Sequence, residues 1–217
     1  FVGTGQGIFR SHNDGDNFEK IFPAVPNVLN LAFSPNNEIY AACWGFIFRS
    51  ADNGENWDTL FVGGNIYFGD IDFGLNGEIY TVGGSYDGPD TGSGFHRSLD
   101  NGDTWENIGI TDKHLHNIEV NANGDIIVGG ESEAIYVSSD MGNNWTLQTN
   151  IHTTALESDT EDRLFAGVQG YSYNGMRFSE NWGASWTNLN DSILYPYIHQ
   201  ISISHNNTVY LQCKGMS

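Results

Sequence analysis

Basic residues are scarce in this chain of 217 residues: Lys+Arg total 8 against Asp+Glu 27, a formal net charge of -19. Nucleic-acid affinity comes largely from cationic groups that displace counterions from phosphates. The sequence therefore excludes nucleic acid and anionic membrane as partners. No apolar run is long enough for a membrane span, and no basic-then-apolar secretory signal is present. Cys43 and Cys213 are too few for a disulfide framework. Helical periodicity is missing throughout, as is any linker-like stretch, so nothing divides the chain, and one domain over residues 1–217 is expected.

What is present is turn chemistry and aromatics. The 27 Gly, with abundant Asn and Asp and 13% aromatic content, are the usage of many short strands joined by tight turns. An acidic, Lys-poor, Asn- and Trp-rich composition points to a secreted or cell-surface protein of bacterial type, and a start at Phe1 leaves room for a removed signal. The sequons at Asn144, Asn190 and Asn206 matter only in a eukaryotic secretory host.

One frame recurs five times: Ser11-His-Asn-Asp-Gly-Asp-Asn-Phe18, Ser50-Ala-Asp-Asn-Gly-Glu-Asn-Trp57, Ser98-Leu-Asp-Asn-Gly-Asp-Thr-Trp105, Ser138-Ser-Asp-Met-Gly-Asn-Asn-Trp145 and Ser179-Glu-Asn-Trp-Gly-Ala-Ser-Trp186. The serines stand 39, 48, 40 and 41 residues apart, a spacing typical of solenoids and propellers. Between boxes the second repeat shows the pattern. Val28–Phe33 alternates as a half-buried strand, Ser34-Pro-Asn-Asn37 is a turn, and strands over 38–43, 46–49 and 57–60 follow. Four antiparallel strands in about 40 residues is the size of a propeller blade.

Each box reads as a turn. Asn13, Asp52, Asp100, Asp140 and Asn181 accept backbone N–H groups, while Gly15, Gly54, Gly102, Gly142 and Gly183 supply a left-handed residue. The ring of Phe18, Trp57, Trp105, Trp145 or Trp186 then fills space beneath it. The frame resembles the Asp-box, or BNR repeat, of sialidases, some glycoside hydrolases, sortilin-type receptors and exported propellers. That resemblance covers essentially the whole chain. It implies an all-β propeller of four-stranded blades, with boxes between the third and outer strands and away from the ligand face. Asn13, Asn181 and Phe18 depart from the frame but keep its hydrogen-bonding or aromatic role. Asp52-Asn-Gly-Glu and Asp100-Asn-Gly-Asp look like calcium loops, but a strand follows at once where an EF-hand needs a longer loop closed by Glu. No cofactor is expected; calcium at the boxes is the minor alternative.

Phe1 and Tyr210 fall in the second-strand slot held by Tyr40. A closed ring of about five blades would then have two segments for one slot. The expectation is a piece of a ring of six to eight blades, with further blades or domains as partners, or a displaced overlap.

Length variation lies at the connections opposite the boxes. These carry Trp44, Tyr86, Asp87 and Asp90 in the 83–94 insertion, Glu131 and Glu133, Tyr171 and Tyr173, and Tyr195 and Tyr197, with His116 and His199 at equivalent starts of innermost strands. Aromatic platforms beside acids and amides suit a glycan or an extracellular protein. Imidazoles there have metal or acid–base chemistry open to them, yet two in non-adjacent repeats lack ligand spacing, so no metal is expected. Cys43 and Cys213 share a slot and read as buried strand thiols.

A complete sialidase site needs three arginines and a tyrosine nucleophile, as the resemblance implies. This chain has Arg10, Arg49 and Arg97 at equivalent pre-box positions, leaving Arg163 and Arg177. The sequence therefore favours a non-catalytic binding or structural module. The alternative is a glycoside hydrolase using a carboxylate pair among Asp87, Asp90, Glu131 and Glu133.

Overall fold

Alternating β-branched and aromatic residues between turn signals produce strands throughout the computed structural model, and no helix occurs among the described residues. The structure describes all residues except 23–26, 86–93, 112, 131–133, 170–174, 190–196 and 215–217; within strands, the side chains of 62–64 and 214 are also left out. Two compact units form, Phe1–Asp112 and Lys113–Ser217.

The first unit holds β1 (Val2–Thr4), β2 (Gly7–Arg10), β3 (Glu19–Phe22), β4 (Val28–Phe33), β5 (Ile39–Ser50), β6 (Asp58–Phe73), β7 (Ile79–Ser85), β8 (Gly94–Ser98) and β9 (Glu106–Asn107). β1–β3 form a three-stranded sheet and β4–β9 a six-stranded one. Sequence reading expects separate sheets for the second and third repeats. They join because β5 and β6 each serve two strand slots, with Gly45 at φ 78° inside β5 and Trp44 registered opposite Tyr67.

The second unit holds β10 (Leu115–Val120), β11 (Ile126–Gly130), β12 (Ile135–Ser138) and β13 (Thr146–Thr149) in one four-stranded sheet. β14 (His152–Ser158), β15 (Leu164–Gln169), β16 (Gly175–Ser179) and β17 (Thr187–Asn188) form a second, and β18 (Tyr197–Ile203) pairs with β19 (Val209–Lys214). All pairings are antiparallel between sequence neighbours, the order expected of meandering blades.

Apolar residues from both faces of these strands pack into clusters. Tyr40, Ala42, Ile47, Phe68, Ile71 and Ile79 form one in the first unit; Ile127, Ile135, Leu156, Leu164 and Val168 form one in the second. Tyr210 occupies the second-strand position of Tyr40: it registers with Ser202 as Tyr40 does with Ala32. Their surroundings differ. Tyr40 is 1% exposed and Tyr210 59%. Cys43 is buried, and burial pushes its thiol up to about 12. Cys213 is exposed, which corrects the expectation of a buried thiol there; β19 has a neighbouring strand on one side only among the described residues.

The first hairpin of each repeat repeats one geometry. At 34–37, 74–77, 121–124, 159–162 and 204–207 the fourth residue donates to the first carbonyl at 2.8, 3.3, 2.9, 3.1 and 2.8 Å. That fourth residue is left-handed in every case, with φ of 62, 90, 83, 57 and 58° for Asn37, Gly77, Gly124, Asp162 and Asn207. The sequence uses Gly, Asn or Asp where this conformation costs least.

Candidate functional site

The five boxes share one hydrogen-bond pattern. Each serine Oγ accepts the N–H of the box glycine, at 2.9 Å for Ser11, 2.8 Å for Ser50 and Ser98, and 2.9 Å for Ser138 and Ser179. The same hydroxyl donates to Oδ1 of Asn13, Asp52, Asp100, Asp140 or Asn181 at 2.9–3.1 Å. That Oδ1 accepts the backbone N–H four residues on at 2.8–3.0 Å. Asp14, Asn53, Asn101, Met141 and Trp182 are left-handed with φ of 51–61°, as are the glycines that follow at 83–92°. Two successive positive φ angles make a type I′ turn, which Asn-Gly suits best and Met141 and Trp182 tolerate at a cost.

The aromatic that ends the frame closes it from beneath. The indole N–H of Trp57, Trp105 and Trp145 donates to the box glycine carbonyl at 3.1, 3.0 and 2.8 Å. Phe18 has no such donor and is 49% exposed, while the Trp186 Nε1 is buried without a partner.

The box carboxylates sit below the usual carboxylate range. The leading cause is the Asn56 backbone N–H for Asp52, the Thr104 hydroxyl for Asp100 and the Asn144 side-chain amide for Asp140. A depressed folded value means stability present above the ordinary value of 3.8 and lost as pH falls through the lower folded value. Acid unfolding below pH 3.8 is thus expected to flatten in the D52N/D100N/D140N variant, read by circular dichroism. Unchanged acid sensitivity would contradict the assignment.

The pre-box arginines serve the framework, as expected. Arg10 bonds Glu19 at 2.7 Å, Glu55 at 2.7 Å and the Asn53 carbonyl of the next box at 2.7 Å. Arg49 reaches the Asn101 carbonyl at 3.1 Å and Asp58 at 3.4 Å, and Arg97 pairs with Glu106 at 2.8 Å. Each links its outer strand and, for Arg10 and Arg49, staples one box to the next. Sequence reading missed the staple. Its signal is the Arg immediately before the serine paired with an acid eight residues after it. In the fourth repeat Val137 takes the arginine position, and both Val137 and Trp182 pack on one apolar cluster, so an apolar contact replaces the polar staple. Arg163 grips the buried Asp159 at 2.6 Å within its hairpin turn. Tyr40 and Tyr80 are pushed up to about 12 by burial, the opposite of an activated nucleophile.

At the other end of the sheets the first strand of every repeat that contains one carries a bulge at the same position. Register skips Leu29, Gly69, His116, Thr154 and His199. Bulges re-aim side chains. His116 is half-buried and His199 exposed, with Tyr197 half-buried and registered opposite Lys214. Trp44, inside β5 beside the left-handed Gly45, is 39% exposed. Asn30, just inside its bulge, donates to Asp70 at 2.8 Å, and the bulge residue Thr154 donates to the Ile198 carbonyl at 2.6 Å, tying neighbouring first strands within each unit. Tyr86, Asp87, Asp90, Glu131, Glu133, Tyr171, Tyr173 and Tyr195 lie outside the described residues. Among the described residues, no three His, Cys, Asp or Glu side chains are placed to hold a metal ion. A groove of about 570 Å³ lies at the box end of the first unit, lined by Asn36, Glu38, Asn76, Leu99, Asp100 and Asn101.

No protein-family model and no curated protein matches the chain. Solved structures do. A GH74 xyloglucanase from Xanthomonas campestris superposes with TM-score 0.76 at 14% identity over 94% of this chain and 39% of that one. The chain is a β-propeller of four-stranded antiparallel blades. PorZ, a surface component of the type-IX secretion system of Porphyromonas gingivalis, gives 0.67 at 16% identity over 97% of this chain and 35% of its own. YCF48 bound to D1 peptide gives 0.63 at 17% identity over 86% and 60%. The propeller thus spans 60% or less of these three proteins. They include both an enzyme and a peptide-bound protein, so the fold is shared across different activities.

Proposed function

We propose that this chain is a binding module of an exported or surface Asp-box propeller, taking a glycan or an extracellular protein segment at the ends of the sheets opposite the boxes. One observation carries the reading: the box-end turns keep one backbone geometry and one hydrogen-bond pattern from repeat to repeat, whereas connection length varies at the other end. Loops on a rigid frame are where recognition normally resides. The peptide bound to YCF48 and the surface location of PorZ support the protein version; the aromatic content of the variable connections supports the glycan version. The arginines engaged in staples and turns argue against a carboxylate-binding triad.

A glycoside hydrolase is the second reading, favoured by the half-buried Asp70 and Asp72 on one first strand and by the xyloglucanase likeness. Asp70 already accepts from Asn30 and Ile71, and Asp72 from Phe73, so both are placed as acceptors.

The test is a combined glycan and peptide array with wild type, Trp44→Ala and Tyr197→Ala. Removing an aromatic anchor is expected to weaken binding about tenfold or more. Binding that survives both changes and is lost with Leu75→Ala and Leu99→Ala, at the box end, would contradict the assignment.

A further inference from the structure

Asn is followed by Gly five times, at 53–54, 76–77, 101–102, 123–124 and 174–175, and Asn174 of the last pair lies outside the described residues. In the other four an acid comes next: Glu55, Glu78, Asp103 and Asp125. Such a pair carries latent chemistry. Because glycine has no Cβ, its backbone nitrogen can approach the side-chain carbonyl carbon of the preceding Asn. Once hydroxide has taken its proton, that nitrogen attacks Cγ; the new N–Cγ bond closes a succinimide, and the Cγ–Nδ2 bond breaks as ammonia leaves. Water then opens the ring to Asp or isoaspartate. The step needs a glycine nitrogen able to give up its proton and a peptide group free to turn toward the side chain.

The box pairs meet neither need. The peptide joining Asn53 to Gly54 is held at both ends, its N–H donating to Ser50 Oγ at 2.8 Å and its carbonyl accepting from Arg10 at 2.7 Å. The peptide joining Asn101 to Gly102 is held the same way, by Ser98 Oγ at 2.8 Å and Arg49 at 3.1 Å. Both glycines are buried, and the space beneath them is filled: an added Cβ would lie 2.5 Å from Ile21 at Gly54 and 2.7 Å from Leu60 at Gly102.

The hairpin pairs are held more loosely. Gly77 is exposed, its N–H reaches the Gly74 carbonyl at 3.3 Å, and an added Cβ would meet nothing within 4 Å. Asn76 is exposed too, and its side-chain amide donates to Glu78 at 3.1 Å, a surface bond that water replaces readily. Gly124 is half-buried, with its N–H on the Asn121 carbonyl at 2.9 Å. Asn76 and Gly77 are therefore the least restrained of the four described pairs.

We infer that Asn76 is a site of spontaneous deamidation, and that the serine and arginine clamp of the boxes protects Asn53 and Asn101 from the same reaction. The box serine thus does more than shape a turn. It keeps intact the Asn-Gly dipeptide that a type I′ turn prefers. Conversion at Asn76 places a new carboxylate beside Glu78, in the lining of the box-end groove. The inference is independent of what the opposite ends of the sheets bind.

The test follows deamidation at each Asn by peptide-mapping mass spectrometry, with the full chain kept at mildly alkaline pH either folded or in concentrated urea. Asn53 and Asn76 are both followed by Gly-Glu, so their rates in urea should match. In the folded chain Asn53 and Asn101 should react at least about tenfold more slowly than Asn76. Ser98→Ala should speed Asn101 about tenfold and leave Asn53 unchanged; Arg49→Gln, which frees the other end of the same peptide, should speed Asn101 about threefold. Equal rates at Asn53, Asn76 and Asn101 in folded protein overturn the inference, as does an Asn101 rate that neither variant moves. A joint rise at Asn53 and Asn101 in Ser98→Ala would credit the fold at large and overturn the clamp.

Discussion

Gly94→Ala is expected to destabilise the first unit by about 3–5 kcal/mol, the range reserved for a named steric or backbone fault. Gly94 opens β8 at φ 114°, where L side chains rarely go, and a Cβ there would lie 1.9 Å from the Ile110 carbonyl oxygen. That carbonyl is held by the Phe95 N–H at 3.0 Å, so it cannot retreat without breaking a hydrogen bond. Gly77→Ala is the control. Its φ is 90° but nothing lies within 4 Å of the added Cβ, so only the backbone penalty of about 1 kcal/mol remains. Urea unfolding followed by tryptophan fluorescence separates the two. Equal losses would show that the steric clash is absent.

Ser98→Ala should cost about 2 kcal/mol. The hydroxyl is 1% exposed, accepts the Gly102 N–H at 2.8 Å and donates to Asp100 at 2.9 Å. Its loss leaves a buried N–H without an acceptor, which is dearer than losing a hydrogen bond that water can replace. Ser11→Ala makes the comparison, because Gly15 and Asn13 are exposed and water can enter. There the loss should be about 0.5 kcal/mol. A Ser98 variant as stable as wild type would mean that the serine does not organise its turn.

Much of this was legible before any coordinates. Strand-period alternation and the spacing of Ser50, Ser98 and Ser138 led to four-stranded sheets, because turn residues at fixed offsets leave the backbone few alternatives. The equivalence of His116 and His199 was also legible from counting. Its physical meaning, a bulge in each first strand, was not, since register shifts depend on pairing that one strand does not reveal. The Arg10 and Arg49 staples were hidden for a similar reason: their acceptors are backbone carbonyls of Asn53 and Asn101, and a carbonyl carries no sequence signature. The joining of β4–β9 into one sheet follows from the Trp44 and Tyr67 pairing across a repeat boundary, which repeat counting treats as a break. Function was the least legible part. The frame that repeats most faithfully sets turn geometry, while the connections proposed for recognition do not repeat.

The central claim is that the boxes are self-contained turns, leaving the opposite ends of the sheets for ligands. Amide hydrogen exchange at the box glycines, with and without added calcium, tests it most directly. The account predicts strong protection of Gly54, Gly102, Gly142 and Gly183, whose N–H groups are buried on serine Oγ at 2.8–2.9 Å, weaker protection of exposed Gly15, and no change with calcium. Fast exchange in metal-free protein, with protection appearing only when calcium is added, would make the boxes ion sites and contradict the account.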